Sequence, residues 1–150
     1  VPSLTILMRR NSLRLAFSRK GGINHVVSTL VKLGGQASAQ QQYDLTFVLW
    51  ALSLDEEHTD FNAYLVSGAI RLLVDMVAAA PSRKVVRMAM ATLNNLAKSK
   101  HDDILTEMLT GGLTKMLENI IHANAHKQAG DPEVEMDVVK VPPTQVESDT

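Results

Sequence analysis

Three times the chain sets glycine just ahead of an aliphatic residue that opens a short amphipathic stretch: Gly21-Gly22-Ile23, Gly68-Ala69-Ile70 and Gly111-Gly112-Leu113. Taking Ile23, Ile70 and Leu113 as equivalent, the separations are 47 and 43 residues, a period typical of helical repeat units. A unit this short cannot bury its own apolar side, so successive copies must stack into a solenoid.

Each anchor begins the same stripe. Ile23, Val26, Val27, Leu30 and Val31 form the first, Ile70, Leu73, Val74 and Val77 the second, and Leu113, Met116, Leu117, Ile120 and Ile121 the third. This i, i+3, i+4, i+7 spacing lines one face of a helix. A second kind of helix is predicted near 41–54 and near 83–98. In the first, Leu45, Val48, Leu49 and Leu52 share one side, while Tyr43, Phe47, Trp50 and Leu54 share another. The copy at 83–98 sets Val85, Met88, Ala89 and Leu96 against Val86, Met90, Leu93 and Ala97. A helix apolar on two sides must be covered on two sides.

Short helices are expected before each glycine, marked by Leu13 with Phe17, Phe61 with Leu65, and Ile104, Leu105, Met108 and Leu109. Glycine suits the reversal that follows because it tolerates positive φ. Pro81 stops the helix opened at Ile70, and Asp55 marks a break after Leu54. The unit therefore reads as short helix, glycine turn, helix, loop, long buried helix. That is the armadillo plan, and the expected fold is an all-α, armadillo/HEAT-like solenoid of about three repeats over residues 1–127.

From Gln128 the apolar period gives way to Gly130, Pro132, Pro142 and Pro143 among many acids. Residues 128–150 read as an acidic, disordered tail or linker. A faint helical pattern in Val134, Met136, Val138 and Val139 allows a docking helix to form on a partner.

Charge divides the chain. Residues 1–43 hold Arg9, Arg10, Arg14, Arg19, Lys20 and Lys32 and no acid, a formal +6, and the remainder is formally −7. Such a field steers the basic end toward an acidic partner, or is simply a set of solvated helix faces. Arg9, Arg10, Arg14, Arg19 and Lys20 are the candidate partner-binding residues. The basic end lacks interleaved aromatics, so nucleic acid is not the expected partner. An acid-free opening rich in Arg and Ser also resembles a targeting peptide, but it runs straight into the first glycine turn. With Val1 in first place, the reading is a chain cut from a longer protein, or processed.

Chemistry finds little support. There is no cysteine, hence neither disulfide nor thiolate metal site. No phosphate-binding glycine loop, His-Glu-x-x-His helix or Gly-x-Ser-x-Gly elbow occurs. His122 and His126 stand at i, i+4, a spacing able to hold a metal but without a third ligand fixed nearby. Asp55-Glu56-Glu57 and Asp102-Asp103 read as helix-start charges. No catalytic residue, metal or cofactor is expected, and apolar runs are too short to span a membrane.

Two resemblances sharpen this reading. Importin-type armadillo proteins carry a third helix resembling Trp-x-x-x-Asn, where the Trp forms a slot and the Asn holds a bound peptide. Here Trp50 is followed by Leu54, and Asn95 is preceded by Ala91, so neither helix has both; Trp50 reads as a core filler. A closer likeness lies in Leu7-Met8-Arg9-Arg10-Asn11-Ser12-Leu13-Arg14-Leu15-Ala16-Phe17, in Gln42-Tyr43-Asp44-Leu45-Thr46-Phe47-Val48-Leu49-Trp50-Ala51-Leu52-Ser53, and in Lys84-Val85-Val86-Arg87 leading to Leu93-Asn94-Asn95-Leu96. These resemble the N-terminal domain of the H subunit of the vacuolar-type proton-pumping ATPase (V-ATPase), the middle one matching its Gln-Tyr-x-x-x-Phe-x-x-Trp-x-Leu-Ser pattern. Asp131-Pro132-Glu133 falls where the family has an acidic stretch, and the likeness departs at Pro142-Pro143.

The resemblance implies a non-catalytic regulatory subunit. It would bridge the ATP-hydrolysing sector to the membrane sector, with its solenoid on a helical peripheral stalk, and would control coupled hydrolysis. In the family, inhibition is associated mainly with a C-terminal domain that has no counterpart in these residues. The implied place is cytoplasmic, peripheral to vacuolar or other acidic endomembranes and on the membrane only through the complex. A free-standing armadillo adaptor or scaffold that binds other proteins is the alternative.

Overall fold

The computed structural model describes residues 2–130. Residues 131–150 of the expected tail, with the docking helix expected near 131–140, lie outside the described residues, whereas 128–130 belong to the last helix. Among those described there are nine α-helices and no strand. They are α1 (Pro2–Leu7), α2 (Asn11–Arg19), α3 (Gly22–Leu33), α4 (Ala39–Leu52), α5 (Phe61–Val66), α6 (Ala69–Ala79), α7 (Arg83–Lys98), α8 (Asp102–Thr110) and α9 (Leu113–Gly130). Helices α2–α3–α4 form one repeat, α5–α6–α7 the next, and α8–α9 open a third, so the all-α solenoid is as expected.

The glycine turn is one structure used three times. Gly21, Gly68 and Gly112 hold φ of 77°, 75° and 89°, the left-handed region that a Cβ disfavours. In each the glycine N–H donates three residues back, to Ser18, Leu65 and Leu109, and its carbonyl accepts four residues on, from His25, Leu72 and Met116. Matched on these glycines, the third turn stands one residue closer to its anchor. Leu113 therefore takes the place of Gly22 and Ala69 in the turn, although it starts the apolar stripe. Gly22 has a second reason to be glycine: a Cβ there would collide with the Phe17 ring.

Burial follows the stripes in the first two repeats. Ile23, Val26, Val27 and Leu30 of α3 and Ile70, Leu73, Val74 and Val77 of α6 are buried. Of the α9 stripe only Met116 is buried, while Leu117, Ile120 and Ile121 are exposed, Ile121 at 67%. The pattern that packs α3 and α6 meets no following helix here among the described residues.

The long helices depart from expectation at their edges. Helix α4 starts at Ala39, because Ser38 and Gln41 close a reciprocal capping box: the Gln41 N–H donates to Ser38 Oγ (3.1 Å) and the Ser38 N–H to Gln41 Oε1 (2.9 Å). It ends at Leu52, where Ser53 Oγ donates back to the Trp50 carbonyl (2.8 Å). Leu54 thus falls outside the helix and is exposed, not part of its second side. Helix α7 has the expected bounds but is covered on one side only in part: Val85, Ala89 and Leu96 are buried, whereas Met90 is exposed. Helix α1 carries too few residues to show a stripe. It packs on α4 as α4 packs on α7.

Polar ties also cross between helices. The fully buried Tyr64 of α5 donates its hydroxyl to the Leu49 carbonyl of α4 (2.6 Å). Burial pushes its phenol far above the ordinary range, so it is a donor at every working pH. Between repeats, Asn95 Nδ2 donates to Ser53 Oγ (3.1 Å).

Candidate functional site: the basic end and its acidic neighbour

Helix α2 carries two of the five candidate basic residues, Arg14 and Arg19, and borders the other three. At about 1.5 Å per residue its length is about 13 Å, so Arg9 and Arg10 at its start and Arg19 and Lys20 at its end do not share one pocket. Arg9, Arg10, Arg19 and Lys20 are exposed. Arg14 is different. Half-buried, its guanidinium donates from Nη1 to the Met8 carbonyl (2.9 Å) and from Nη2 to Asn11 Oδ1 (3.3 Å). It is a splice between α1 and α2, held over the buried Met8.

The acid-free run of sequence is not acid-free in space. Packing of α2 on α4 brings up the loop that follows α4. Asn11, Arg14 and Ser18 share a cleft of about 10 Å³ with Asp55 and His58, at most one water in size. Beside it, Arg19 lines a recess of about 240 Å³ together with Glu57, His58 and Asp60. Positive and negative side chains meet along this edge, a surface suited to a partner carrying both signs. Sequence reasoning missed it because the contact joins residues about forty apart.

Asp55-Glu56-Glu57 therefore do not start a helix as expected. Asp60 caps α5 instead, accepting from the Ala63 N–H (2.9 Å). Asp55 Oδ2 bonds His58 Nδ1 (2.7 Å), and the Glu57 N–H donates to Asp55 Oδ1 (3.2 Å). The His58 hydrogen bond, with the charges of His58 and Arg14, holds the Asp55 carboxyl below its ordinary value. Asp55, Glu57 and His58 each offer one ligand atom within 4.8 Å of the others; the group is solvent-facing, and the His58–Asp55 bond accounts for it. Asp102 and Asp103 do occupy the first turn of α8, as expected.

The other candidates are structural or solvated. Trp50 is half-buried and tilted against Phe47, with ring centroids 5.4 Å apart, and the Asn95 amide is engaged with Ser53. His122 and His126 are exposed within α9, which continues beyond them to Gly130. Two open grooves repeat along the stack, about 350 Å³ between α3 and α6 and about 390 Å³ between α6 and α9. Among the described residues no helix is long and apolar enough to cross a membrane.

Comparison with known proteins points to one family. The H subunit of the V-type proton ATPase of Dictyostelium discoideum is 26% identical over 137 residues, covering 91% of this chain and 29% of that protein. The chain thus spans under a third of the length of this relative. No solved structure matches the chain significantly. A family model for the V-ATPase H subunit matches residues 1–142, and with nearly the whole chain inside that match, the chain belongs to the V-ATPase H subunit family.

Proposed function

We propose that this chain is a non-catalytic structural and regulatory part of a vacuolar-type proton-pumping ATPase, the helical repeats of residues 1–127 serving as an interaction module and residues 128–150 as its acidic tail. The observation that carries this reading is the family match over residues 1–142. The module bridges the ATP-hydrolysing sector and a helical peripheral stalk to the membrane sector, and its docking controls coupled hydrolysis. It acts on the cytoplasmic side, peripheral to vacuolar or other acidic endomembranes, and reaches the membrane through its partners.

The chemistry of the basic end supports a protein partner. Arg9, Arg10, Arg19 and Lys20 are available to a partner's carboxylates, and the nearby Asp55, Glu57 and Asp60 select register by rejecting like charge. Arg14 takes part by fixing the corner from which Arg9 and Arg10 project. Exposed charges act more on association rate and selectivity than on affinity.

The test is to tag the chain in its native cell, isolate membranes gently and quantify co-purifying proteins. Pump catalytic and stalk subunits at constant ratio support the reading. Their absence, with varied soluble partners, would replace it with an armadillo adaptor. A second arm carries Arg9→Glu, Arg10→Glu, Arg19→Glu and Lys20→Glu together. Loss of the pump subunits with the helical content intact assigns the contact to the basic end, and unchanged recovery places it elsewhere.

A further inference from the structure

Helices α4 and α7 repeat one burial pattern 44 residues apart. Leu45, Val48, Leu49 and Leu52 of α4 and Ala89, Thr92, Leu93 and Leu96 of α7 are all buried, and the Asn95–Ser53 bond ties the C-terminal ends of the two helices. They therefore run parallel, and residues 44 apart face the same way. On α4, Tyr43, Phe47 and Trp50 fall within about 60° of one another around the axis; on α7 the matching positions are Arg87, Ala91 and Asn94. Helix α4 packs on α1, α3 and α7, yet all three rings stay only half-buried. The stacking of layers leaves this face open to solvent.

The two halves of the face differ in chemistry. On α4 the rings form a ladder, with centroids 6.4 Å apart from Tyr43 to Phe47 and 5.4 Å from Phe47 to Trp50. The one acid of this helix, Asp44, is buried and accepts from Gln40 Nε2 (2.7 Å), so α4 offers no exposed carboxylate. Helix α7 contains Arg83, Lys84, Arg87 and Lys98 and no acid. Arg83, Arg87 and Lys98 lie within about 60° of one another around its axis, all three are exposed, and none is in an ion pair among the described residues. An aromatic row thus runs beside a cationic row, across the roughly 8–10 Å that separates packed helices.

The form of the occupant follows from these rows. Both run along the helix axes, the basic one for about 22 Å. A segment lying between them must show two adjoining stripes over that length, one apolar and one acidic. A helix of about fifteen residues does so, with apolar side chains at i, i+3, i+4 and i+7 and carboxylates on the adjacent face. An extended strand sends successive side chains to opposite sides and cannot. Single-stranded nucleic acid also combines rings with cations, but it stacks its bases on open ring faces. Here neighbouring rings are tilted against each other at 35° and 45°, and Phe47 and Trp50 pack on the core.

We propose that the α4–α7 face docks an acidic amphipathic helix of a partner protein, its apolar stripe on Tyr43, Phe47 and Trp50 and its carboxylates on Arg83, Arg87 and Lys98. This surface uses none of the basic-end residues and does not rest on membership of a proton pump. The rings supply the apolar contact, and the bases set the direction and register of the bound helix. Because those bases are exposed, docking weakens as salt rises past the screening range.

Trp50 is the only tryptophan, so its emission reports on this face alone. The probe is a tryptophan-free helical peptide of about fifteen residues with a Leu stripe beside a Glu stripe, titrated into the whole chain. The expected result is a saturable shift of Trp50 emission, with affinity lowered about tenfold or more by combined Arg87→Glu and Lys98→Glu substitution while circular dichroism shows the helical content intact. No saturable shift up to about 1 mM peptide would overturn the proposal, as would an equal shift with a peptide of the same composition in scrambled order, or binding untouched by the double substitution. A shift that grows with protein concentration alone would overturn it by assigning the face to a second copy. Tighter binding of a uridine oligonucleotide that displaces the peptide would overturn it by assigning the face to nucleic acid.

Discussion

Helices α6 and α9 leave the same glycine turn and part company within two turns of helix. Helix α6 buries Ile70, Leu73, Val74 and Val77; α9, with a stripe as long and as apolar, buries Met116 alone. The difference is the neighbour. Helix α7 lies along α6, while no described helix takes that place on α9. In a solenoid the apolar pattern states what a helix can bury, and the next layer decides what it does bury.

Substitution should reproduce that contrast. Leu73→Ala, at a side chain with no exposure, is expected to cost about 2–5 kcal/mol through lost transfer energy and the cavity left behind. Leu117→Ala, at a side chain 37% exposed, should cost at most about 1 kcal/mol. Urea denaturation of both variants measures the gap. Equal losses would mean that α9 is covered as deeply as α6 and would break the comparison.

The glycine turns should behave oppositely. A Cβ added at Gly68 or Gly112 meets nothing within 4 Å, so the only penalty is the left-handed backbone, about 1–2 kcal/mol for a residue with a side chain. Gly68→Ala and Gly112→Ala are therefore expected to lower the urea midpoint by similar amounts, although their helices differ so much in burial. A far larger loss at Gly68 would show that turn strain and packing are coupled.

Much of this was legible because it is local. The φ-positive glycines, the stripes of α3 and α6, the bounds of α7 and the first-turn acids of α8 each follow from residues within about four positions of one another. What escaped depends on distant residues or on too few of them. Nothing near Arg14 announces that its partners are the Met8 carbonyl and Asn11, or that Asp55 waits across the α2–α4 contact. Helix α1 is six residues long, short of the two turns a stripe needs. Leu54 matched the period of α4, yet Ser53 closed the helix first, because a hydroxyl returned to the Trp50 carbonyl competes with another turn.

The interior and the rim also differ in their polar ties. Tyr64→Phe removes the buried hydrogen bond to the Leu49 carbonyl, which still accepts from the Ser53 N–H. With that second partner in place the loss should be about 1 kcal/mol, independent of pH from about 4 to 9 because the phenol stays protonated. A loss that varied across that range would show that Tyr64 is not the simple donor its burial makes it.

At the rim the tie should depend on pH, and the sign is set by which state holds the proton more tightly. Asp55 in the folded chain sits below its ordinary value of 3.8, chiefly because of the His58 hydrogen bond, while its surroundings are open to water. The unfolded chain therefore binds a proton at Asp55 more readily than the folded one does. Its stabilising contribution is present above the ordinary value and is lost as pH falls through the lower folded value. Solvent screening keeps the effect the smallest of those considered. Asp55→Asn should be slightly less stable than the unsubstituted chain at neutral pH, and the two urea midpoints should converge as pH drops below 3.8. A difference that persists to strong acid would mean that the substitution acts through the shape and hydrogen bonding of the side chain, which also accepts from the Glu57 N–H (3.2 Å), and not through its charge. Convergence would place the α2 rim among surfaces tuned by ionisation, in contrast to the pH-indifferent tie at Tyr64.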